Sequence, residues 1–398
     1  MLTLDQSPSD DHFVQNPYAL YAQVQAGDPI RHWQDYNMPA VFDAATIHTL
    51  LRDRRLGRAL PATQHQTPPA HLTAFAAVEA TSMLDLEPPA HTRLRRLVLH
   101  AFTSRRIKAL VPDIHDICDQ LIADLPDDPF DIIAAFCTQL PVRIIARLLG
   151  VPETRSDDLL RWSHAMVAMY QAGRTHATEV AANTAALAFT DFLSDHIDAR
   201  RSTPRDDLIS HLIAASSQGA TLTRQEMIGT CILLLNAGHE ATVHTLGNAV
   251  KTLLEHKTPH GALSDTHIAT TVEELLRYDP PLHMFTRHIY DDLPVGGHIL
   301  RRGGQVALIL GAAGRDPKTC DFPQRFDPLR PAAPHAAFGG GVHFCVGAPL
   351  ARLELQIGLQ RLFADCPNLA LTAQPRYANS YHFHGLQSLM VTTSPTSI

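Results

Sequence analysis

The chain has 398 residues, 45% of them hydrophobic and 18% charged, enough for a large core and ordinary for a globular protein. A formal net charge of −7 gives no electrostatic case for nucleic-acid binding, and six scattered cysteines without a CxxC pair exclude a disulfide framework or a structural zinc module. The polar, acidic start and the lack of any apolar run near 18 residues exclude a secretory leader and a membrane span, so a cytoplasmic monomer is expected.

In chain order, Tyr18 to Ala26 reads as a short helix, with strands at Ile30–Trp33 and Ala40–Phe42. Proline and small polar residues from Pro61 to Pro89 predict a loop with little regular structure. Pro88-Pro89-Ala90-His91 opens a helix on which His91 and Arg95, four apart, share a face and offer two donors to one anion. Helical periods continue over Val111–Leu125 and Leu140–Leu149, the latter stopped by Gly150 and Pro152, then over Arg155–Gln171 and Thr175–Arg200. No composition shift or repeat marks a boundary, and one domain over residues 1–398 is expected.

Thr223, three residues before Glu226, forms a capping-box pattern for a long helix reaching His256. Its middle reads Leu235-Asn236-Ala237-Gly238-His239-Glu240-Ala241-Thr242-Val243-His244, and a glycine inside a helix marks a kink or a close approach. His239 and His244 are five apart, about 500° around the helix, so they cannot form the two-histidine face of a zinc protease. Glu274 and Arg277 then share a helix face, and strands are expected at Thr286–Tyr290 and Gly303–Leu310.

Phe338-Gly339-Gly340-Gly341-Val342-His343-Phe344-Cys345-Val346-Gly347 cannot hold a regular strand or helix, and a helix with an early proline follows from Pro349. Cys345 therefore lies just before a helix N-terminus, where a thiolate is favoured as a nucleophile or a metal ligand. A phosphate-binding glycine loop would need a lysine and Ser/Thr after the glycines, which are missing; a buried structural cysteine would not explain the glycines.

The run Phe-Gly-Gly-Gly-x-His-x-Cys-x-Gly resembles the haem-binding loop of the cytochrome P450 monooxygenases, in the soluble bacterial form. The resemblance implies a mainly α (α+β) fold with small β sheets and a long central helix over haem b, with Cys345 as the axial thiolate of the iron. Phe338 would pack beside the sulfur and His343 would face a propionate. Glu-Pro-Pro-x-His-Thr-Arg-Leu-Arg-Arg-Leu resembles the family segment whose His and Arg hold a propionate, here His91 and Arg95; Arg287 matches a further propionate arginine. Glu274 and Arg277 match the family's Glu-x-x-Arg, with Arg325 of Pro323-Gln324-Arg325-Phe326 as the third member of a structural triad.

Ala237-Gly238-His239-Glu240-Ala241-Thr242 resembles the oxygen-activating segment, Ala-Gly-x-acid-Thr-Thr. Ala237 and Gly238 would widen the helix for dioxygen, and Glu240 would be the acid of the proton path. Ala241 stands where the family has its first threonine, so the proton relay lacks its usual donor, and Thr242, about 100° further round, is no automatic substitute. A substrate hydroxyl or an ordered water is expected to supply the missing bond. By spacing, Leu233, Ala237 and Ala241 share a pocket face with Asn236 nearby, and His283 and Phe285 alternate toward it. His382 and Phe383 precede what resembles the family's C-terminal turn.

The expected reaction is insertion of one atom of O2 into a small organic substrate, with electrons from ferredoxin and ferredoxin reductase, since the chain leaves no room for a flavin domain. Arg105, Arg106 and Arg352 are candidates to meet an acidic donor. A peroxide-driven or non-oxidative haem-thiolate enzyme, or a non-catalytic haem sensor, would also tolerate Ala241.

Overall fold

A computed structural model describes residues 1–127, 129–170, 174–217 and 222–394. The chain condenses into two compact units, each built from separated stretches: residues 1–57, 118–138 and 241–398 form one, and residues 58–117 and 139–240 the other.

The first unit carries all the strands among the described residues. Its largest sheet runs Leu2–Leu4, Ile30–Trp33, Met38–Val41, Gln305–Leu308, Phe285–Ile289, Leu56–Gly57 in spatial order. The strands bury Ile30, Val41, Val306, Leu308 and Ile289 in one core, and Trp33 in a second, aromatic one with Tyr21, Phe42 and Tyr381 from outside the sheet. Three short sheets complete the unit: Met390–Thr392 between Ala370–Leu371 and Phe130–Asp131, Arg376–Tyr377 with Leu386–Ser388, and Leu293–Val295 with His298–Leu300. The helices Ile268–Tyr278 and Ala348–Asp365 pack against each other in the same unit.

The second unit is helical. The His176–Ser202 helix packs on Ser156–Val167, with the Trp162 and Phe189 rings 5.1 Å apart. Gln139–Leu149 ends where Gly150 takes φ +77, and a Cβ there would strike Asp207, which is bound to Arg200 at 2.5 Å. Gln171, the expected end of one helix, lies outside the described residues. The stretch predicted as loop between Pro61 and Pro89 contains a helix, Thr73–Glu79, because Phe75 and Val78 give it a face to bury.

One helix, Arg224–Glu255, runs through the boundary between the stretches. Its capping box is formed reciprocally: Thr223 N donates to Glu226 Oε2 at 2.9 Å, and Glu226 N donates to Thr223 Oγ1 at 3.2 Å.

Candidate haem-thiolate site

Backbone shape in the 338–347 loop is set by its glycines. Gly339 and Gly341 take φ +68 and +66, and a Cβ on Gly341 would stand 2.2 Å from the Leu51 carbonyl oxygen, so only glycine fits. Gly341–His343 makes one tight turn, Cys345 N donates to Phe338 O at 3.0 Å, and the Ala348–Asp365 helix follows two residues later with proline in its first turn. Cys345 is thereby held at the loop's tip. It is half-buried, whereas the other five cysteines are buried. Burial pushes the Cys118 and Cys231 thiols up to about 12, and that of Cys137 higher still, which leaves them inert as nucleophiles or metal ligands.

Beside this loop, Phe338 lies under the Arg352 guanidinium, 4.5 Å from the ring centroid. Arg352 and His335 both bind Glu273, at 2.5 and 3.1 Å. Burial pushes the Glu273 carboxyl up, but the hydrogen bonds and charges of His335 and Arg352 outweigh it and hold it at about 2. Arg352, a candidate from the sequence to meet an acidic donor, is thus paired inside its own unit. Arg287 is buried on the Phe285–Ile289 strand, donating to the Thr286 carbonyl at 2.8 Å and stacked on Phe285; His343 is half-buried in the tight turn.

The structural triad forms with a different third arginine. Glu274 and Arg277 make a buried bidentate pair at 2.6 and 2.8 Å. Arg325, named from the sequence, contributes only its carbonyl oxygen to Arg277, at 3.3 Å; the side chain that reaches Glu274 is Arg330, at 3.4 Å. The turn Asp327-Pro328-Leu329 carries the chain back so that Asp327 N also donates to Glu274, at 2.9 Å. Gly314 is required by a close approach: a Cβ there would meet the Arg277 carbonyl oxygen at 2.4 Å.

On the long helix most positions from Met227 to Val250 are buried, but Leu233, Gly238, Glu240, Ala241 and His244 are half-buried and Ala237 is exposed. Leu233, Ala237, Ala241 and His244, spaced four, four and three, share one face of the helix. Gly238 lies off that face, its missing Cβ accommodating Ile145 at 3.0 Å, so packing accounts for the glycine. Glu240 is half-buried and Thr242 buried. Sequence reasoning passed over His244, whose ring lies 6.0 Å from Phe383 and fills the space a side chain on Gly385 would need.

The remaining expected pocket residues divide. Phe285, His382 and Phe383 are half-buried, and Phe383 bridges to Leu282. Asn236 is buried, its amide 3.8 Å from Met166 Sδ, and so packs against the Ser156–Val167 helix. His283 is fully buried in a tyrosine cluster: its Nδ1 meets Tyr21 Oη at 2.8 Å, and Tyr18 Oη donates to Asp279 at 2.6 Å. Burial, then the neighbouring His384, holds His283 well below the usual histidine range. The geometry makes it a structural histidine; strand alternation mispredicts it because residues 283 and 284 precede the strand. His91 is buried and Arg95 half-buried on Ala90–Ala101, while the adjacent Arg93 is taken up by Glu226.

A half-exposed thiol on a glycine-shaped loop is a soft donor suited to iron, and the backbone at Gly339 and Gly341 does not accept a side chain without strain, so the residues present fit a haem-thiolate centre. A family model described as cytochrome P450 matches residues 268–371. The vitamin D(3) 25-hydroxylase of Pseudonocardia autotrophica is 37% identical over 395 residues, covering 97% of this chain and 96% of that protein. The monooxygenase PikC of Streptomyces venezuelae is 35% identical, covering 94% of this chain and 89% of its own. Among solved structures, tirandamycin C-bound TamI superposes with a TM-score of 0.85 at 35% identity, covering 99% and 100% of the two chains. The chain belongs to the cytochrome P450 family. It is a haem-thiolate monooxygenase, an oxidoreductase that uses O2, a small organic substrate and redox partners.

Proposed function

We propose that this enzyme hydroxylates, or oxidises in a related way, a small oxygenated organic molecule at a b-type haem carried by Cys345, with electrons from a ferredoxin and its reductase. The observation that carries the reading is the position of Cys345, half-buried on the glycine loop while every other cysteine is buried. When bound, the haem supplies dioxygen activation, with the thiolate favouring O–O cleavage.

This chain's own residues supply the rest. Arg287 and Arg95 are the cations, and His343 and His91 the imidazole hydrogen-bond donors, that would hold the propionates, Phe338 shields the sulfur, and the Glu274–Arg277–Arg330 lock stiffens the stretch leading to the loop. Within the strand-bearing unit, Ala241 and His244 of the long helix, with Phe285, His382 and Phe383, are the residues that face the substrate. These imidazoles support a substrate that carries oxygen. The relatives' names point to molecules of that kind, among them vitamin D(3), a polyketide and a mycinamicin.

Glu240 holds the proton destined for oxygen, and Thr242 is the nearest hydroxyl in sequence. Because position 241 has only a methyl, a hydroxyl of the substrate or an ordered water completes the relay. The basic helix Ser104–Ala109, with Arg105 and Lys108 exposed, is the surface for an acidic ferredoxin.

Titration of the purified holoprotein with a panel of macrolides, sterols and fatty acids, read as conversion from low to high spin, tests the substrate class. Ferredoxin-dependent product formation with those that shift the spin state supports the proposal; turnover that runs on peroxide alone favours the peroxide-driven reading, which Ala241 also permits.

A further inference from the structure

Arg352 lies on the Ala348–Asp365 helix that follows the Cys345 loop, and Glu273, on Ile268–Tyr278, grips its guanidinium with both oxygens. Arg352 Nε donates to Oε1 at 2.5 Å, and Nη2 donates to Oε2 at 3.0 Å. The same carboxylate meets His335 Nε2 at 3.1 Å, while His335 Nδ1 accepts from Ala337 N at 3.2 Å, one residue before Phe338.

One carboxylate therefore fixes two side chains that flank one ring. The Arg352 guanidinium carbon stands 4.5 Å from the Phe338 centroid, and the His335 ring 6.2 Å from it. Phe338 in turn holds the cysteine backbone, its carbonyl oxygen accepting from Cys345 N at 3.0 Å. All of these residues belong to the strand-bearing unit.

We propose that Glu273 and Arg352 are positioning residues that act through the Phe338 loop to set the reduction potential of the haem carried by Cys345, the carboxylate lowering it and the guanidinium raising it. The proposal rests on the reading of Cys345 as the iron ligand.

The geometry gives the pair this reach. A mobile surface ion pair is screened and counts for little. A fork-to-carboxylate pair holds both charges in one orientation, and with side chains 31% and 23% exposed this one is partly withdrawn from solvent. Burial pushes the Glu273 carboxyl up, but its contacts with His335 and Arg352 outweigh that and hold it at about 2, so the charge persists at neutral pH. Adding one electron to the ferric centre makes it more negative by one charge, which a nearby carboxylate opposes and a nearby guanidinium favours.

Spectroelectrochemical titration of the holoprotein reads the potential without turnover. Glu273→Gln should raise the ferric/ferrous midpoint and Arg352→Gln should lower it, each changing the ferric-to-ferrous ratio at a fixed applied potential by about threefold or more. The double variant, with both charges gone, should return toward the parent, and Arg352→Lys, which keeps the charge, should stay nearer the parent than Arg352→Gln. Simple bracing of the loop would instead move both glutamine variants in the same direction and leave the double variant no closer to the parent. That pattern, or parental midpoints in both glutamine variants, would overturn the proposal. Should Arg352→Gln fail to hold haem, Glu273→Gln decides alone, because it keeps the size of the side chain: a raised midpoint supports the proposal and an unchanged or lowered one overturns it. The carbon monoxide spectrum separates the two readings. A thiolate-type band in the parent leaves the assignment of Cys345 intact whichever way the midpoints fall, and its absence there would remove the assignment on which the proposal rests.

Discussion

The Thr245 hydroxyl donates to the Ala241 carbonyl, 2.6 Å away, one turn back along the long helix. The hydroxyl is thereby spent on the backbone, a contact that tends to bend helices, and is not a spare proton donor for the alanine position. Whatever completes the proton relay at Ala241 must come from outside this pair.

Ala241→Thr restores a donor at that position. With substrates lacking a hydroxyl near the oxidised carbon, the variant should couple electrons to product severalfold better than the parent and leak less peroxide. With the native substrate it should show no gain. Product and peroxide quantified per NAD(P)H consumed, for both substrate types, provide the check; good parental coupling on a bare hydrocarbon would exclude substrate assistance.

In the Glu274 lock Arg325 contributes its carbonyl and Arg330 its side chain. Arg277→Ala strands a buried carboxylate and should cost about 3–5 kcal/mol, with loss of haem incorporation. Arg325→Ala keeps the carbonyl that Arg277 uses and should cost under about 1 kcal/mol, whereas Arg330→Ala should fall between. Urea midpoints and haem-to-protein ratios of the three variants rank them directly.

Two buried carboxyls in the strand-bearing unit should bend the pH dependence of stability in opposite senses. Burial pushes the Glu354 carboxyl well above its usual 4.5, so the native state keeps a proton that the unfolded chain releases. Stability should therefore fall as pH rises from about 4.5 until the buried group ionises, and Glu354→Gln should flatten that limb. At Asp279 burial also raises the carboxyl, but Lys251, His384 and Tyr18 outweigh it and hold it well below the ordinary range. Its contribution is present above that range and lost toward acid, and Asp279→Asn should flatten the acid limb. Denaturant midpoints measured across pH for both variants show whether the signs are right.

Gly341→Ala must force a Cβ into the Leu51 carbonyl and a strained φ. Purified protein should retain its helical circular dichroism but bind substantially less haem. Full haem content would mean that the loop adapts and that the glycine cradle is not what holds Cys345.

Much of this was legible in the sequence because chemistry forced short, ordered strings. Glycines at positive φ, a cysteine before a helix, the Thr223–Glu226 capping box and the Gly150 stop each report a local backbone need, and each appears where read. What the string concealed depends on chain reversals. Arg330 reaches Glu274 only because the Asp327–Leu329 turn folds back, and His164 meets Glu240 only through helix packing. Likewise His283 reads as a lining residue by alternation, yet Tyr18 and Tyr21, more than 260 positions away, enclose it.

The central claim is that the Cys345 sulfur ligates porphyrin iron, and the most direct measurement is the absorption of the reduced holoprotein under carbon monoxide. The account predicts the strongly red-shifted Soret band of thiolate ligation, lost in Cys345→Ala. A Soret band at the position typical of histidine ligation, or a red-shifted band that survives Cys345→Ala, would contradict it.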